Sequence, residues 1–198
     1  MTSNKRWGTA GTCWLALCIL MCRCARAEDA GVHVIDTEHS TLTVRVSKSG
    51  LFSAFGHEHE IRAAIEQGSF RANPPMVEFT VDSRNLRVVD KDVSDEDRLR
   101  IQETMLGPKV LDTQQFPNIR FRSNQIDPPK DGKWAIHGEL SLHGQTRPIL
   151  VRVEQKGDHY WGSVELRQTD YGITPVTVAG GTVKVKDELR VEFDVTGK

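Results

Sequence analysis

Two histidines two positions apart are the residues of this sequence whose types and spacing best suit chemistry. His57 and His59 lie in the run FGHEHE at residues 55–60. On a β-strand, residues i and i+2 point to the same face, so the two imidazoles can converge on one ion. Neutral imidazole is a ligand for zinc, copper or nickel. The pattern therefore allows a metal site, with His39 as a third ligand if its strand is adjacent.

Other interpretations of the histidine pair rank above a metal site. An H-x-H pair lacks the helical spacing of the H-E-x-x-H zinc signature. Imidazoles at a strand end also hydrogen-bond neighbouring carbonyls or a carboxylate such as Glu38, and this structural role is the favoured interpretation. Contact with the polar head group of a ligand comes second. We therefore predict no catalytic residue and no metal, and keep a metal-binding protein or a His-based metalloenzyme as the alternative.

Two arginines near the middle of the chain are the other candidates for head-group contact. Arg84 and Arg98 flank or lie on a predicted helix, and a guanidinium group binds phosphate in a bidentate manner. Together with His57 and His59, they are the predicted head-group contacts. The alternative is a solvated face whose arginines pair with Asp90, Asp92 and Asp95.

Strands must position most of these residues. From Val32 onward, apolar and polar residues alternate in most segments, and short turn-rich links separate them. This pattern predicts eight to ten antiparallel strands in a barrel or sandwich. One helix interrupts them: Ser94 is its predicted N-cap, and Gly107-Pro108 ends it. Leu99 and Met105 belong to its predicted apolar face.

Three runs of the sequence resemble the signatures of the YceI-like family. They lie at residues 35–46, 105–123 and 138–149, and the resemblance extends over roughly residues 34–195. Members are bacterial and mostly periplasmic. The resemblance implies an all-β fold, an antiparallel lipocalin-like β-barrel of about eight strands with one short α-helix in a connection. It also implies a bound polyisoprenoid lipid, no other cofactor and no enzymatic activity.

The apolar faces of the strands are the candidate lining of the barrel. A closed sheet of about eight strands either fills its interior with side chains or leaves room for one small ligand. The residues alone do not separate these two outcomes, and the resemblance favours the cavity. The predicted ligand-binding residues are Leu42, Val44, Val46, Phe52, Phe55, Ile61, Phe79, Phe121, Trp134, Ile136, Leu140, Val164, Val191 and Phe193.

The first 27 residues have the layout of a secretory signal peptide. A basic start precedes an apolar core and an Ala-Arg-Ala cleavage site, so the predicted mature domain spans residues 28–198. All 4 cysteines precede residue 28, which excludes disulfides and thiolate ligands from that domain. A lipoprotein cleavage at Cys22 is the minor alternative. The predicted location is the periplasm or the exterior.

Charge narrows the choice of partners. The leader contains four of the 26 basic residues and none of the 27 acidic ones, so the mature chain has a net charge of −5. This charge argues against nucleic acid as a partner. The leading hypothesis is an exported lipid-binding protein with an apolar lipid as its ligand. The sequence is also compatible with a homodimer and with a transient partner in the inner membrane. The remaining alternative for the function is a fully packed barrel with a structural or interaction role.

Overall fold

A computed structural model describes residues 31–49, 58–178 and 183–198. The predicted signal peptide and Cys22 lie outside the described residues, as do Phe52, Phe55 and His57. Within the described ranges, no helix is both long and apolar enough to cross a lipid bilayer.

Twelve strands and one α-helix, α1 (Asp95–Leu106), form the described part of the chain. The strands are β1 (Val32–Val34), β2 (Thr41–Ser49), β3 (His59–Ala63), β4 (Ile65–Ala72), β5 (Pro75–Asp82), β6 (Arg87–Val88), β7 (Asn118–Ile126), β8 (Lys133–Leu142), β9 (Gln145–Lys156), β10 (His159–Arg167), β11 (Thr177–Val178) and β12 (Val183–Thr196).

The strands pair into a single antiparallel sheet. Their order is β1-β4-β5-β7-β8-β9-β10-β12-β2-β3-β6, and β11 pairs with β12 beside this path. The sheet curls on itself because β3 runs almost directly into β4, so one bent segment pairs with β2 at its start and with β5 at its end. The predicted all-β antiparallel class is confirmed. The strand number exceeds eight because three strands have only two or three residues and an interruption at Ala64 divides another.

The sheet closes where its first and last strands meet. Ile35 forms an antiparallel bridge with Gly197, and the Lys198 N–H donates to the Val34 carbonyl oxygen at 2.8 Å. We call this contact the seam. Since β1 also pairs with β4, the seam joins the β12 side of the sheet to the β4 side and completes a barrel.

The predicted helix is present, and its limits are close to those expected. The Ser94 hydroxyl accepts a hydrogen bond from the Asp97 N–H at 3.1 Å, as an N-cap does. The Gln102 side chain fastens α1 to the sheet, because its amide accepts from the Val88 N–H and donates to the Leu86 carbonyl. Met105 is buried, whereas Leu99 is 65% exposed. The assignment of Leu99 to the apolar face was wrong, because that side of α1 faces outward.

Two glycines in the barrel wall make room for aromatic rings. A Cβ atom added to Gly138 would lie 2.6 Å from the Phe121 ring, and one added to Gly162 would lie 2.8 Å from the Phe193 ring. A Cβ at Gly162 would also collide with the Arg152 carbonyl oxygen. The two rings therefore cover the glycines, and the space beside each glycine is already filled.

We expect Gly162→Ala to lower the free energy of unfolding by about 1–3 kcal/mol, because the added methyl group must displace the Phe193 ring and neighbouring backbone. Urea denaturation measures this loss. Ser163→Ala, at the next position of β10, is the matched control and should change stability by less than about 0.5 kcal/mol. Equal losses in both variants would contradict the packing assigned to Gly162.

Candidate functional site

The barrel encloses a cavity of about 930 Å³. This volume is near the top of the range of about 300–1,000 Å³ that small-molecule sites occupy. Its wall is almost entirely apolar and comes from every long strand of the sheet, from β2 to β12. The interior is therefore hollow and apolar, and side chains do not fill it.

The described residues that were predicted to line the barrel all line this cavity. They are Leu42, Val44, Val46, Ile61, Phe79, Phe121, Trp134, Ile136, Leu140, Val164, Val191 and Phe193. Phe52 and Phe55 lie outside the described residues. The structure thus places these side chains around one space, and their role in binding stays a prediction.

Strand β2 shows how the alternation of the sequence sorts side chains between the two faces. Val44 lines the cavity, while the next side chain, Arg45, pairs outside with Glu192 at 2.8 Å and Glu60 at 3.0 Å. The hydrogen bond from Arg45 holds the pKa of the Glu192 carboxyl below its usual value. Along β2, the charged side chain of Arg45 thus lies on the outer face, and the side chains that line the cavity are apolar.

The cavity has two chemically different ends. At the end formed by α1, β6 and the start of β3, which we call the helix end, the polar lining residues include His59, Arg100 and Thr104. At the opposite end, near the β4–β5 and β7–β8 connections, they include Arg71 and Asp127. Polar groups are thus confined to the rims, and a long apolar wall separates them.

His59 is tied to a buried carboxylate at the helix end. Its Nδ1 lies 2.5 Å from the Asp90 Oδ2, and the two side chains are only 13% and 2% exposed. The Asp90 Oδ1 accepts a hydrogen bond from the Glu60 N–H at 2.7 Å. Arg98 donates to the Asp90 carbonyl oxygen at 3.0 Å. The carboxylate is therefore fixed on both oxygens and holds the imidazole in one orientation.

Asp90 is the residue of this site that the sequence did not reveal. The alternative interpretation of the arginines placed Asp90 on a solvated face, and this part was wrong because the Asp90 side chain is buried against His59. The contact depends on the pairing of β3 with β6 and on a separation of 31 residues. No local sequence signal marks such a pair.

The structure does not bring His39 to His59. His39 precedes β2 and is hydrogen-bonded to Asp36 at 2.9 Å, with its side chain 72% exposed. That bond lowers the pKa of the Asp36 carboxyl. His59 pairs with Val46 towards the other end of β2. Within the described ranges, no group of three His, Cys, Asp or Glu side chains is arranged to hold a metal ion.

Neither arginine that was predicted as a head-group contact lines the cavity. Arg84 is 62% exposed and pairs with Asp82 at 2.7 Å, which lowers the pKa of the Asp82 carboxyl. Arg98 binds Asp95 and backbone carbonyls of the segment before α1. Both guanidinium groups are therefore occupied by neighbours in the chain. The arginine of α1 that does line the cavity is Arg100, two positions after Arg98 on the helix.

Comparisons with known proteins agree with this architecture. The family model described as YceI-like domain matches residues 33–197. A UPF0312 protein of Vibrio cholerae is 25% identical over 178 residues, which cover 84% of this chain and 88% of that protein. A UPF0312 protein of Shewanella denitrificans is 26% identical with the same coverage.

Two solved structures are similar in fold. The crystal structure of BcnA from Burkholderia cenocepacia superposes with a TM-score of 0.57 and 15% identity, covering 83% of this chain and 99% of that one. The YCEI protein of Campylobacter jejuni gives a TM-score of 0.51 and 10% identity over 77% of this chain and 85% of that one. Because the family model spans nearly the whole described domain, this chain belongs to the YceI-like family.

Proposed function

We propose that this protein is an exported carrier that holds a polyisoprenoid, or a similarly long apolar molecule, inside its barrel. The observation that carries the proposal is the apolar cavity of about 930 Å³. The YceI-like family is known for a polyisoprenoid-binding barrel fold and is not known for enzymatic activity. A carrier of this kind needs a fitting wall and no catalytic group.

The physical chemistry of the wall favours a hydrocarbon ligand. Removing apolar surface from water gains about 25 cal/mol per Å², so burial of about 400 Å² of an isoprenoid chain gains about 10 kcal/mol before the cost of immobilising it. Such a chain has no hydrogen bonds to satisfy, and the wall offers few. A fully packed structural barrel would require an interior without this volume.

Export is supported by the leader-like first 27 residues, and the sequence after residue 24 contains no cysteine. A domain without disulfides depends on its hydrophobic core for stability, so an oxidising compartment does not change its covalent structure. Fractionation of bacterial cells that express the full chain tests this part: the processed protein should appear in the periplasm or the medium. Retention of the unprocessed chain in the cytoplasm would contradict export and leave lipid binding untouched.

Native mass spectrometry of the purified protein tests the carrier role. We expect a co-purifying apolar molecule, or uptake of an added polyprenol with a stoichiometry of one per barrel. A protein that carries nothing and takes up no polyprenol would refute the proposal. The negative control is a different barrel protein of similar size whose interior is filled with side chains. Lipid that it retains must adhere nonspecifically to the outer surface.

Arg84→Ala should leave the affinity for a polyprenol unchanged within about twofold, because Arg84 pairs with Asp82 outside the cavity. Tryptophan fluorescence during ligand titration measures this affinity, since Trp134 lines the cavity. A tenfold loss, equivalent to about 1.4 kcal/mol, would instead place Arg84 at the ligand and restore the interpretation made from the sequence.

A further inference from the structure

The His59–Asp90 pair is a polar feature of a largely apolar wall. The binding of a hydrocarbon does not explain why this pair is present. His59 lines the cavity, and Asp90 behind it is 2% exposed. Burial of a carboxylate is costly unless its oxygens accept hydrogen bonds. Both do: one accepts from the Glu60 N–H and the other faces the His59 Nδ1. The pair is thus a built arrangement that aims an imidazole at the cavity.

The carboxylate selects which nitrogen of the ring carries the proton. An ionised carboxylate only accepts hydrogen bonds, so Nδ1 donates to Asp90 at 2.5 Å. In a neutral imidazole the other nitrogen, Nε2, is then a hydrogen-bond acceptor. The hydrogen bonds among the described residues leave Nε2 without a partner. The helix end therefore presents one acceptor of fixed direction.

Four other polar lining groups near the two ends already have hydrogen-bond or ion-pair partners. At the helix end, Arg100 pairs with Asp97 and Gln168 donates to the Lys186 carbonyl at 2.7 Å. At the opposite end, Arg71 donates to the Pro74 carbonyl and Asp127 accepts from Gln125. These groups do not require a ligand to satisfy them.

The buried Trp134 Nε1 has no partner among the described residues, but it can only donate a hydrogen bond. The ring of His33, which also lines the cavity, stacks on Phe70 and has no carboxylate partner among the described residues. The His59 imidazole is therefore the lining group whose acceptor is held in place for a ligand with a hydrogen to donate.

We propose that His59, positioned by Asp90, binds the hydroxyl end of the ligand, an alcohol or a phenol, at the helix end of the cavity. The inference rests on the proposed carrier function and adds the chemistry and the orientation of the ligand. The hydroxyl group donates to Nε2, and the apolar chain extends along the barrel towards the opposite end. An ether or hydrocarbon of the same length fills the same wall without this bond.

Three probes of one chain length separate the two proposals. Farnesol, farnesyl methyl ether and farnesene share the isoprenoid chain and differ in the presence of a hydroxyl donor. We expect the protein to bind farnesol about tenfold more tightly than the ether or the hydrocarbon, which corresponds to one net hydrogen bond. Equal binding of all three would overturn the hydroxyl site and support the carrier. Failure of all three to bind would count against the carrier itself.

His59→Leu should bring the affinity for farnesol down to that for the ether and leave the other two affinities unchanged. His159→Leu is the matched control, because His159 also pairs with an aspartate, Asp194 at 2.7 Å, but on the outer face with its side chain 45% exposed. This control should keep the full preference for farnesol. Loss of the preference in both variants, or in neither, would overturn the assignment of His59.

Asp90→Asn tests whether Asp90 positions the His59 ring. The measured quantity is the preference for farnesol over the ether, which a loss of stability alone would not change. The amide can face Nδ1 with its NH₂ group, which moves the ring proton to Nε2 and turns the acceptor into a donor. Alcohol and ether oxygens both accept from a donor, so the preference should fall from about tenfold to within about twofold while the affinity for farnesene is kept. A preference that survives in Asp90→Asn would overturn the role of Asp90. Circular dichroism verifies that each variant is folded, and the comparison of the three probes on the unmodified protein needs no variant.

Discussion

Replacement of Val44 and Val164 together by tryptophan should lower the affinity for a polyprenol by more than tenfold while the barrel stays folded. Val44 pairs with Val191, and Val191 pairs in turn with Val164, so the two sites flank one position across β2, β12 and β10. All three line the cavity. Exclusion of about 60 Å² of ligand surface costs about 1.5 kcal/mol, which already corresponds to about tenfold. Two indoles at the middle of the cavity exclude more than that.

The matched control places the same tryptophans on the outer face. Thr43 and Glu165 are the neighbours of Val44 and Val164 on β2 and β10, and neither lines the cavity. Thr43→Trp/Glu165→Trp should bind ligand as the unmodified protein does. Isothermal titration calorimetry measures both affinities, and urea denaturation verifies folding. Undiminished binding in the inward variant would show that the ligand does not enter the cavity.

Tyr171→Ala should destabilise the protein by about 3–5 kcal/mol, because it removes a large aromatic side chain from a packed interior. Tyr171 is 2% exposed and is the last residue of the short 3₁₀ turn at Gln168–Tyr171. Its hydroxyl is buried without a hydrogen-bond partner among the described residues. Tyr171→Phe removes only this unsatisfied group and should be neutral or stabilise by up to about 1 kcal/mol. A large loss in both variants would mean that the hydroxyl is satisfied.

The same tyrosine should make stability depend on pH in the alkaline range. Burial raises the pKa of the Tyr171 hydroxyl from its ordinary value of 10.0 to about 12. Between these values the unfolded chain ionises and the folded chain does not, so stability is lost as pH rises from 10.0 to about 12. Urea midpoints measured across this range, compared with those of Tyr171→Phe, isolate the contribution. An identical alkaline decline in both proteins would assign it to another group.

Local sequence patterns were sufficient to predict which side chains of a strand point to the interior. The alternation along β2 placed Leu42, Val44 and Val46 on one side, and all three line the cavity. The N-cap at Ser94 and the stop at Gly107 likewise follow from short-range chemistry. Such features are encoded within a few residues, so a single sequence reveals them without knowledge of the tertiary fold.

Contacts between distant parts of the chain were beyond the sequence. The partner of His59 is Asp90, which the pairing of β3 with β6 supplies. A local contact was missed as well: Arg84 was predicted at the site, but Asp82, two residues away, holds its guanidinium group. The hollow interior was also undetermined, because a filled core and a cavity have the same apolar composition. The size of the space depends on how far the sheet curls, which no local pattern records.

The seam between Ile35 and Gly197 has a consequence for how the domain is made. The two bridged residues lie at opposite ends of the domain, and contacts of long sequence separation form late and slowly. Until β12 has been synthesised, the inner face of the growing sheet is open to solvent and to chaperones. The closed cavity therefore forms only when the first and last strands of the domain are brought side by side.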